Sequence, residues 1–112
     1  VDAQGIVYAG SGNNGAIYKI EKGKGSLLYD SPEIAIHSLA LDKEGNLYAG
    51  SSPRGIIYKI VPGTAKTDVF AHLKEEYIWA LTFDSRGNLY AGTGQRGRVY
   101  KLSPDGEVKL LF

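Results

Sequence analysis

One short sequence pattern occurs three times and constrains the fold more than any other feature of this chain of 112 residues. The pattern is a run such as Gly-Asn-Leu-Tyr-Ala-Gly, then a glycine-rich loop, then a run such as Ile-Tyr-Lys-Ile. Its first tyrosine recurs as Tyr8, Tyr48 and Tyr90, at intervals of 40 and 42 residues. Such a period indicates that one supersecondary unit is repeated along the chain.

Each repeat divides into strand-sized runs separated by turn residues, and no helical period lies between them. In the second repeat the four runs cover residues 36–42, 46–50, 56–60 and 67–70. The fourth runs, 26–29, 67–70 and 108–111, are weaker, and polarity that rises toward them is typical of an outer, exposed strand. The connections before them, 21–25, 61–65 and 103–106, are predicted to be turns. The pattern therefore predicts an all-β protein.

The first run of the second repeat alternates between large and small residues. His37, Leu39 and Leu41 are predicted to share one face, and Ser38 and Ala40 are predicted to lie on the opposite face. The corresponding run of the third repeat alternates in the same way. We therefore expect the bulky face of one sheet to pack on the flat face of the next.

A turn with the pattern Asp-x-x-Gly-Asn follows this run in the second and third repeats. The aspartate can accept hydrogen bonds from nearby backbone amides, and glycine tolerates a positive φ angle. We expect Gly45 and Gly87 to adopt such a conformation and to close a hairpin.

Four antiparallel strands per repeat of about 42 residues match the blade of a β-propeller. A β-sandwich has no reason to repeat its sequence, and a β-helix has a shorter period. The prediction is roughly three four-stranded blades, in residues 1–35, 36–77 and 78–112, with the first blade lacking its inner strand. This is about half of a six-bladed ring. Because the chain has no methionine and starts within a repeat, we expect a processed, excised or engineered piece, or part of a longer chain.

The phrase Asp-x-x-Gly-Asn-Leu-Tyr-Ala-Gly-Thr, followed by Gly-x-Val-Tyr-Lys-Leu, resembles the blades of the NHL, SMP-30 and regulator-type sensor propellers. The resemblance covers essentially the whole chain. It implies a ligand-binding or scaffolding module, with enzymes a minority in the wider group.

Composition excludes several classes of function. With 13 Lys and Arg against 12 Asp and Glu, the net charge of +1 does not indicate nucleic acid or an anionic membrane as a partner. The absence of cysteine excludes disulfides, thiolate zinc sites and thiol nucleophiles. No 18-residue apolar run is present, so no membrane span is predicted. The cellular compartment is not determined by these features.

Two glycine-rich loops, 10–15 and 92–97, match the pattern Gly-x-Gly-x-x-Gly. A dinucleotide site needs a helix after these glycines, whereas a strand is predicted here, so no cofactor is expected. His37 and His72 lie at different repeat positions and do not suggest a metal site. No carboxylate is placed to orient His37 for catalysis with Ser38, so no catalytic residue is predicted.

The candidate binding site lies where the loops entering the inner strands meet those between the second and third strands. In propellers both sets of loops open on the face where the central channel begins. His37 and Trp79 occupy the same repeat position there, as an aromatic platform for a sugar or planar ligand. The alternative is that Trp79 packs between blades. The predicted site residues are Trp79, His37, Arg54, Arg96, Tyr77 and Glu76.

The favoured function is a non-enzymatic ligand-binding or scaffold module that assembles into a closed ring, because no convergent set of acids, bases or metal ligands is visible. A propeller-type hydrolase or lyase, such as a lactonase, is one alternative. A structural fragment without a ligand is the other. Three blades cannot close a ring, so we expect either a homodimer with six blades or the remaining blades in a longer chain.

Overall fold

The computed structural model describes residues 1–64 and 66–112, and these contain β-strands and no helix. The strands are β1 (Val7–Gly10), β2 (Ala16–Glu21), β3 (Lys24–Asp30), β4 (Ala35–Leu41), β5 (Leu47–Ser52), β6 (Ile56–Val61), β7 (Lys66–His72), β8 (Ile78–Phe83), β9 (Leu89–Thr93), β10 (Val99–Leu102) and β11 (Val108–Leu110). No helix in this part of the chain is long and apolar enough to cross a membrane.

The strands form three antiparallel sheets, each ordered as in the sequence. The first sheet has three strands, β1 to β3, and the other two have four, β4 to β7 and β8 to β11. The predicted all-β class and the three blades, the first without its inner strand, are confirmed. We call these sheets the first, second and third blade.

Turn residues set the ends of the strands. Lys22 and Gly23 have φ angles of +51° and +78° and join β2 to β3 as a two-residue hairpin loop. β3, the outer strand of the first blade, therefore starts at Lys24, earlier than the predicted run 26–29. In the second blade the corresponding turn was predicted over residues 61–65, and Ala65 lies outside the described residues.

The predicted Asp-x-x-Gly-Asn turns are confirmed. Gly45 and Gly87 both have a φ angle of +84°. Asp42 Oδ1 accepts hydrogen bonds from the backbone amides of Glu44 (3.0 Å) and Asn46 (2.9 Å). These bonds are all made within the turn, so its conformation is fixed locally.

Adjacent blades pack the small residues of one sheet against an isoleucine of the next. A Cβ atom on Gly10 would lie 2.7 Å from Ile36 Cγ2, and one on Gly50 would lie 2.7 Å from Ile78 Cγ2. The Ser38 hydroxyl also donates to the Ile78 carbonyl, at 2.9 Å. The predicted contact between a bulky face and a flat face is therefore confirmed.

The second blade is covered on both sides. Between the first and second blades lies an apolar core whose buried members are Ile17, Ile36, Leu47, Ala49, Ile56, Tyr58 and Ile60. Between the second and third blades lies another, with Tyr48, Ile57, Ala71, Leu73, Ile78, Leu89, Ala91 and Leu102. All six residues of β5 are buried, whereas the outer strands β3, β7 and β11 are mostly exposed, as predicted.

The predicted alternation of the inner strands is wrong at their first residues. Ile36 lies opposite Ser51 and Ser38 lies opposite Gly50, so His37 is the extra residue of a β-bulge. Trp79 is the extra residue at the same point of the third blade. The bulge takes these two side chains out of the alternating pattern, and Trp79 is 53% exposed.

The two end faces of the three-blade stack are bare. At one end, a Cβ atom on Gly92 would touch only Ala80 of its own sheet, at 3.7 Å, whereas Gly10 and Gly50 each meet the next blade. At the other end the first blade exposes large apolar side chains: Val7, Tyr18, Ile20 and Leu27.

Candidate functional site

The predicted loops do meet on one face of the molecule. The Leu73 amide donates to the Gly55 carbonyl (2.9 Å), and the Gly94 amide donates to the Tyr77 carbonyl (3.0 Å). We call this surface, formed by connectors 31–34 and 73–77 and loops 53–55 and 94–97, the connector face. Gly55 is required there because its φ angle is +63° and a Cβ atom would lie 2.1 Å from the Glu75 carbonyl oxygen.

Three of the predicted residues form an aromatic cluster, which we call the platform. The rings of Tyr77 and Trp79 are stacked, with centroids 5.1 Å apart and an interplanar angle of 14°. His37 lies 4.6 Å from Trp79 and 5.9 Å from Tyr77. Since His37 belongs to β4 and Trp79 to β8, the platform joins the inner strands of two blades.

Backbone features position the platform. The two β-bulges place His37 and Trp79 at equivalent points of neighbouring inner strands. Gly94 lies under the indole, since a Cβ atom there would be 2.2 Å from Trp79 Nε1. Trp79 therefore rests on bare backbone while half of its surface stays accessible to a ligand.

A buried glutamate anchors the connector that leads into the second blade. Glu33 is 5% exposed, and the Tyr58 hydroxyl donates to its Oε2 at 2.9 Å. Arg54 Nε lies 3.3 and 3.0 Å from the two carboxylate oxygens, and Arg54 Nη2 also donates to Oε2. Burial alone would raise the pKa of Glu33, but the hydrogen bonds from Arg54 and Tyr58 outweigh it and lower that pKa.

The third blade repeats this arrangement 42 residues later. Glu75 is 7% exposed and accepts a hydrogen bond from the Tyr100 hydroxyl at 2.5 Å. Its carboxylate oxygens lie 3.8 Å from Arg96 Nε and 3.5 Å from Arg98 Nη1. Two arginines thus share one carboxylate, and the side chain of Arg96 stays 60% exposed.

The other three predicted residues line a shallow cavity of about 370 Å³ beside the platform. Its lining residues are Pro53, Arg54, Lys74, Glu75, Glu76, Gln95 and Arg96. Gln95 Nε2 donates to Glu76 Oε2 at 3.1 Å, which joins loop 94–97 to connector 73–77. Because Glu76 precedes Tyr77, the cavity and the platform adjoin along this connector.

The anchoring glutamates were missed from the sequence. Glu76 was predicted as a site residue, and it is exposed, whereas its neighbour Glu75 is the buried one. The available signal was the spacing, because Glu33 and Glu75 are separated by the same 42 residues as Tyr58 and Tyr100. The structure does not test whether the six predicted residues bind a ligand, so their binding role stays a prediction.

The connector face presents two kinds of chemical group. Stacked aromatic rings offer a flat apolar surface, and the arginines offer hydrogen-bond donors in a fixed plane. Within residues 1–64 and 66–112 there is no group of three or more His, Asp or Glu side chains that could hold a metal ion.

Sequence comparison gives one short match. The family model described as two component regulator propeller matches residues 72–95, which span the end of β7, connector 73–77, β8 and β9. A comparison with curated protein sequences gives no significant match.

Solved structures with the same fold are β-propellers. Virginiamycin B lyase from Staphylococcus aureus is 17% identical, with a TM-score of 0.86 over 99% of this chain and 39% of its own. Regucalcin, a calcium-binding protein from Agrobacterium tumefaciens, is 19% identical, with a TM-score of 0.72 over 92% of this chain and 40% of its own. A chain of a nidogen/laminin complex is 18% identical, with a TM-score of 0.75 over 89% and 39%. The chain is a β-propeller segment spanning about two fifths of the length of these structures.

Proposed function

We propose that this propeller segment is a non-enzymatic binding module that takes a sugar or another planar small molecule on its platform. The observation that carries the proposal is the half-exposed Trp79, stacked on Tyr77 and flanked by His37. Tryptophan presents a large, rigid surface to a ring, and little conformational entropy is lost when neighbours already fix it.

The polar residues beside the platform orient the bound ligand. Arg54 is held by the buried carboxylate of Glu33, and Arg96 faces that of Glu75. Both arginine side chains stay more than half exposed, so a ligand can use their remaining N–H groups. Glu76 contributes an exposed carboxylate that accepts hydrogen bonds from ligand hydroxyls.

An enzyme of the hydrolase or lyase type is the competing proposal. It draws support from the likeness of fold to virginiamycin B lyase, which at 17% identity concerns the fold alone. A structural fragment with no ligand of its own is the third possibility. The binding proposal is preferred because, among the described residues of the connector face, no serine or threonine hydroxyl forms a hydrogen bond with a His, Asp or Glu side chain, and Ser31 Oγ bonds only backbone groups.

The chain's single tryptophan makes a direct test practical, because Trp79 fluorescence reports on the platform itself. We expect one class in a panel of saccharides and planar metabolites to change this fluorescence saturably. Tyr77→Ala should weaken that binding at least about tenfold, since it removes a stacking ring. The matched control is Tyr18→Ala, because Tyr18 is an exposed tyrosine of the first blade.

An activity panel decides between the two classes. Esterase and lactonase substrates are assayed with added calcium, on the parent chain and on His37→Ala. Turnover that His37→Ala abolishes would replace the binding proposal with the enzymatic one. Absence of both binding and turnover would favour the structural fragment.

We further propose that the ring is closed by additional blades that cover the two bare faces. These blades belong either to a second copy, giving a six-bladed homodimer, or to a longer chain. Gly10 and Gly50 each receive an inner-strand isoleucine, but the first blade of a second copy has no inner strand to offer Gly92. In the two-copy ring Gly92 would therefore meet the remaining strands of the other copy's first blade, and in a longer chain it would meet a complete blade.

A further inference from the structure

A second cavity lies at the opposite end of the second and third blades from the connector face. Its volume is about 530 Å³, within the usual range for small-ligand sites of roughly 300 to 1,000 Å³. It is formed by the turns at 42–46 and 84–87, by Pro104 and by residues of strands β4 to β8. We call it the inter-blade cavity.

Three aromatic rings form the apolar part of this cavity. The ring of Tyr48 lies edge-on to Phe70 at 5.1 Å and to Phe83 at 4.8 Å. Burial and the neighbouring Asp42 carboxylate raise the pKa of Tyr48 to about 12, so its hydroxyl stays protonated at neutral pH. Tyr48 itself is only 4% exposed, so the partly buried rings of Phe70 and Phe83 provide the uncharged surface that another aromatic ring can reach.

The two aspartates of the cavity are occupied by their own turns. Asp42 accepts hydrogen bonds from the backbone and side chain of Asn46 and from the Glu44 amide. Asp84 accepts the equivalent bonds, from Asn88 and from the Arg86 amide, and one more from the Tyr90 hydroxyl. Their oxygens are thus engaged within the protein, which leaves Glu44 as the remaining acidic side chain of the lining.

The basic side chains of the cavity have fewer partners within the protein than the aspartates. In the part of the chain that the structure describes, neither Lys59 nor Arg86 forms a side-chain ion pair. Lys59 Nζ lies 5.7 Å from the centre of the Tyr48 ring, so a cation already faces that ring. Lys43 Nζ donates to the Ser85 carbonyl at 2.7 Å and keeps two further protons to donate.

We propose that the inter-blade cavity binds a small aromatic carboxylate. Its ring packs against Phe70 and Phe83, which the buried Tyr48 holds in place, and its carboxylate accepts hydrogen bonds from Lys59 and Arg86. A cationic ligand is disfavoured because Lys59 occupies the ring face that it would use. The inter-blade cavity shares no residue with the platform, so this proposal can be tested independently of the proposed function.

The other blade junction lacks this arrangement. By repeat position, Phe70 corresponds to Leu28 and Phe83 to Leu41, so the junction of the first and second blades has leucines in their place. The aromatic lining is therefore specific to the second junction. Phe83→Leu converts this position to the residue found at the first junction without removing its apolar bulk.

The test is calorimetric titration of the 112-residue chain with 2-naphthoate at low salt. We expect saturable binding that Lys59→Gln and Arg86→Gln each weaken about tenfold, because each removes a charge-assisted hydrogen bond. Phe83→Leu should also weaken it. The matched control is Lys101→Gln, since Lys101 is the equivalent of Lys59 in the third blade and lies outside the cavity. Lys101→Gln should leave the affinity unchanged.

Three results would overturn the proposal. The first is no saturable binding of 2-naphthoate at millimolar concentration. The second is an affinity that Lys59→Gln and Arg86→Gln leave unchanged, which would place the ligand elsewhere. The third is tighter binding of a naphthyl trimethylammonium cation than of 2-naphthoate, which would reverse the charge preference.

Discussion

The first and second blades contain the same four residues, Ile-Tyr-Lys-Ile, in their third strand position, yet bury them differently. Tyr58 and Ile60 of the second blade are 4% and 0% exposed. Tyr18 and Ile20 of the first blade are 37% and 36% exposed. Two residues of an identical strand are thus core in one blade and surface in the other, because their burial depends on whether another blade covers that face of the sheet.

The turns behave in the opposite way. Gly5 and Gly45 have φ angles of +83° and +84°, although only the second blade has an inner strand before its turn. Asp2 accepts backbone hydrogen bonds from Gln4 and Ile6 as Asp42 does from Glu44 and Asn46. Turn structure is therefore local, whereas core structure depends on the neighbouring blade.

The largest expected effect is the loss of an isoleucine from the covered blade. Ile60→Ala should lower the free energy of unfolding by about 2–5 kcal/mol, because it leaves a cavity in a packed core. Ile20→Ala, the same change in the uncovered blade, should cost about 1 kcal/mol or less. Urea denaturation of both variants measures the difference, and equal losses in the free energy of unfolding would contradict the contrast between the two blades.

A smaller difference is expected at the tyrosines. Tyr58→Phe removes the hydroxyl that donates to the buried Glu33 carboxylate and should cost about 1–3 kcal/mol. Tyr18→Phe should change stability by no more than about 0.5 kcal/mol, because in the described residues its hydroxyl has no hydrogen-bond partner. Thermal denaturation suffices, and a Tyr18→Phe variant that is as destabilised as Tyr58→Phe would contradict the account.

At the turns we expect a substitution to have the same effect on stability in the second and third blades. Gly45→Val and Gly87→Val should each cost slightly more than about 1 kcal/mol, since both φ angles are +84°. No other residue lies within 3.4 Å of a Cβ atom at either position, so the cost is conformational. Unchanged melting temperatures would contradict the assigned turns, and a large inequality between the two variants would contradict their local character.

The smallest expected effect is a pH dependence of stability that belongs to the second blade. The pKa of Glu33 is lowered from about 4.5, so its contribution to stability is present above that pH and is lost as the pH falls below it. Glu33→Gln should therefore lose less stability than the parent chain between pH 6 and about pH 3. Glu21→Gln in the first blade is the control, because Glu21 is exposed and lies 3.9 Å from Lys19.

The sequence predicted the strands, the turns and the missing inner strand because each depends on residues within one repeat. The bulges at His37 and Trp79 were missed because the residues after them alternate without a break. Two consecutive large residues, as in Ile78-Trp79, were the available signal. The role of Glu33 was missed because its partners, Arg54 and Tyr58, are more than 20 residues away and meet it only in the folded sheet.

Sedimentation velocity of the 112-residue chain, run over a range of micromolar concentrations, tests most directly whether the two bare faces are halves of one interface. We predict self-association that Gly92→Arg abolishes, because the arginine side chain would fill the space left for the next blade. A dimer would support the two-copy ring, and longer open assemblies would support additional blades in a longer chain. A trimer would exclude the six-bladed ring, and a folded monomer at every concentration would contradict the proposal that the two bare faces complement each other.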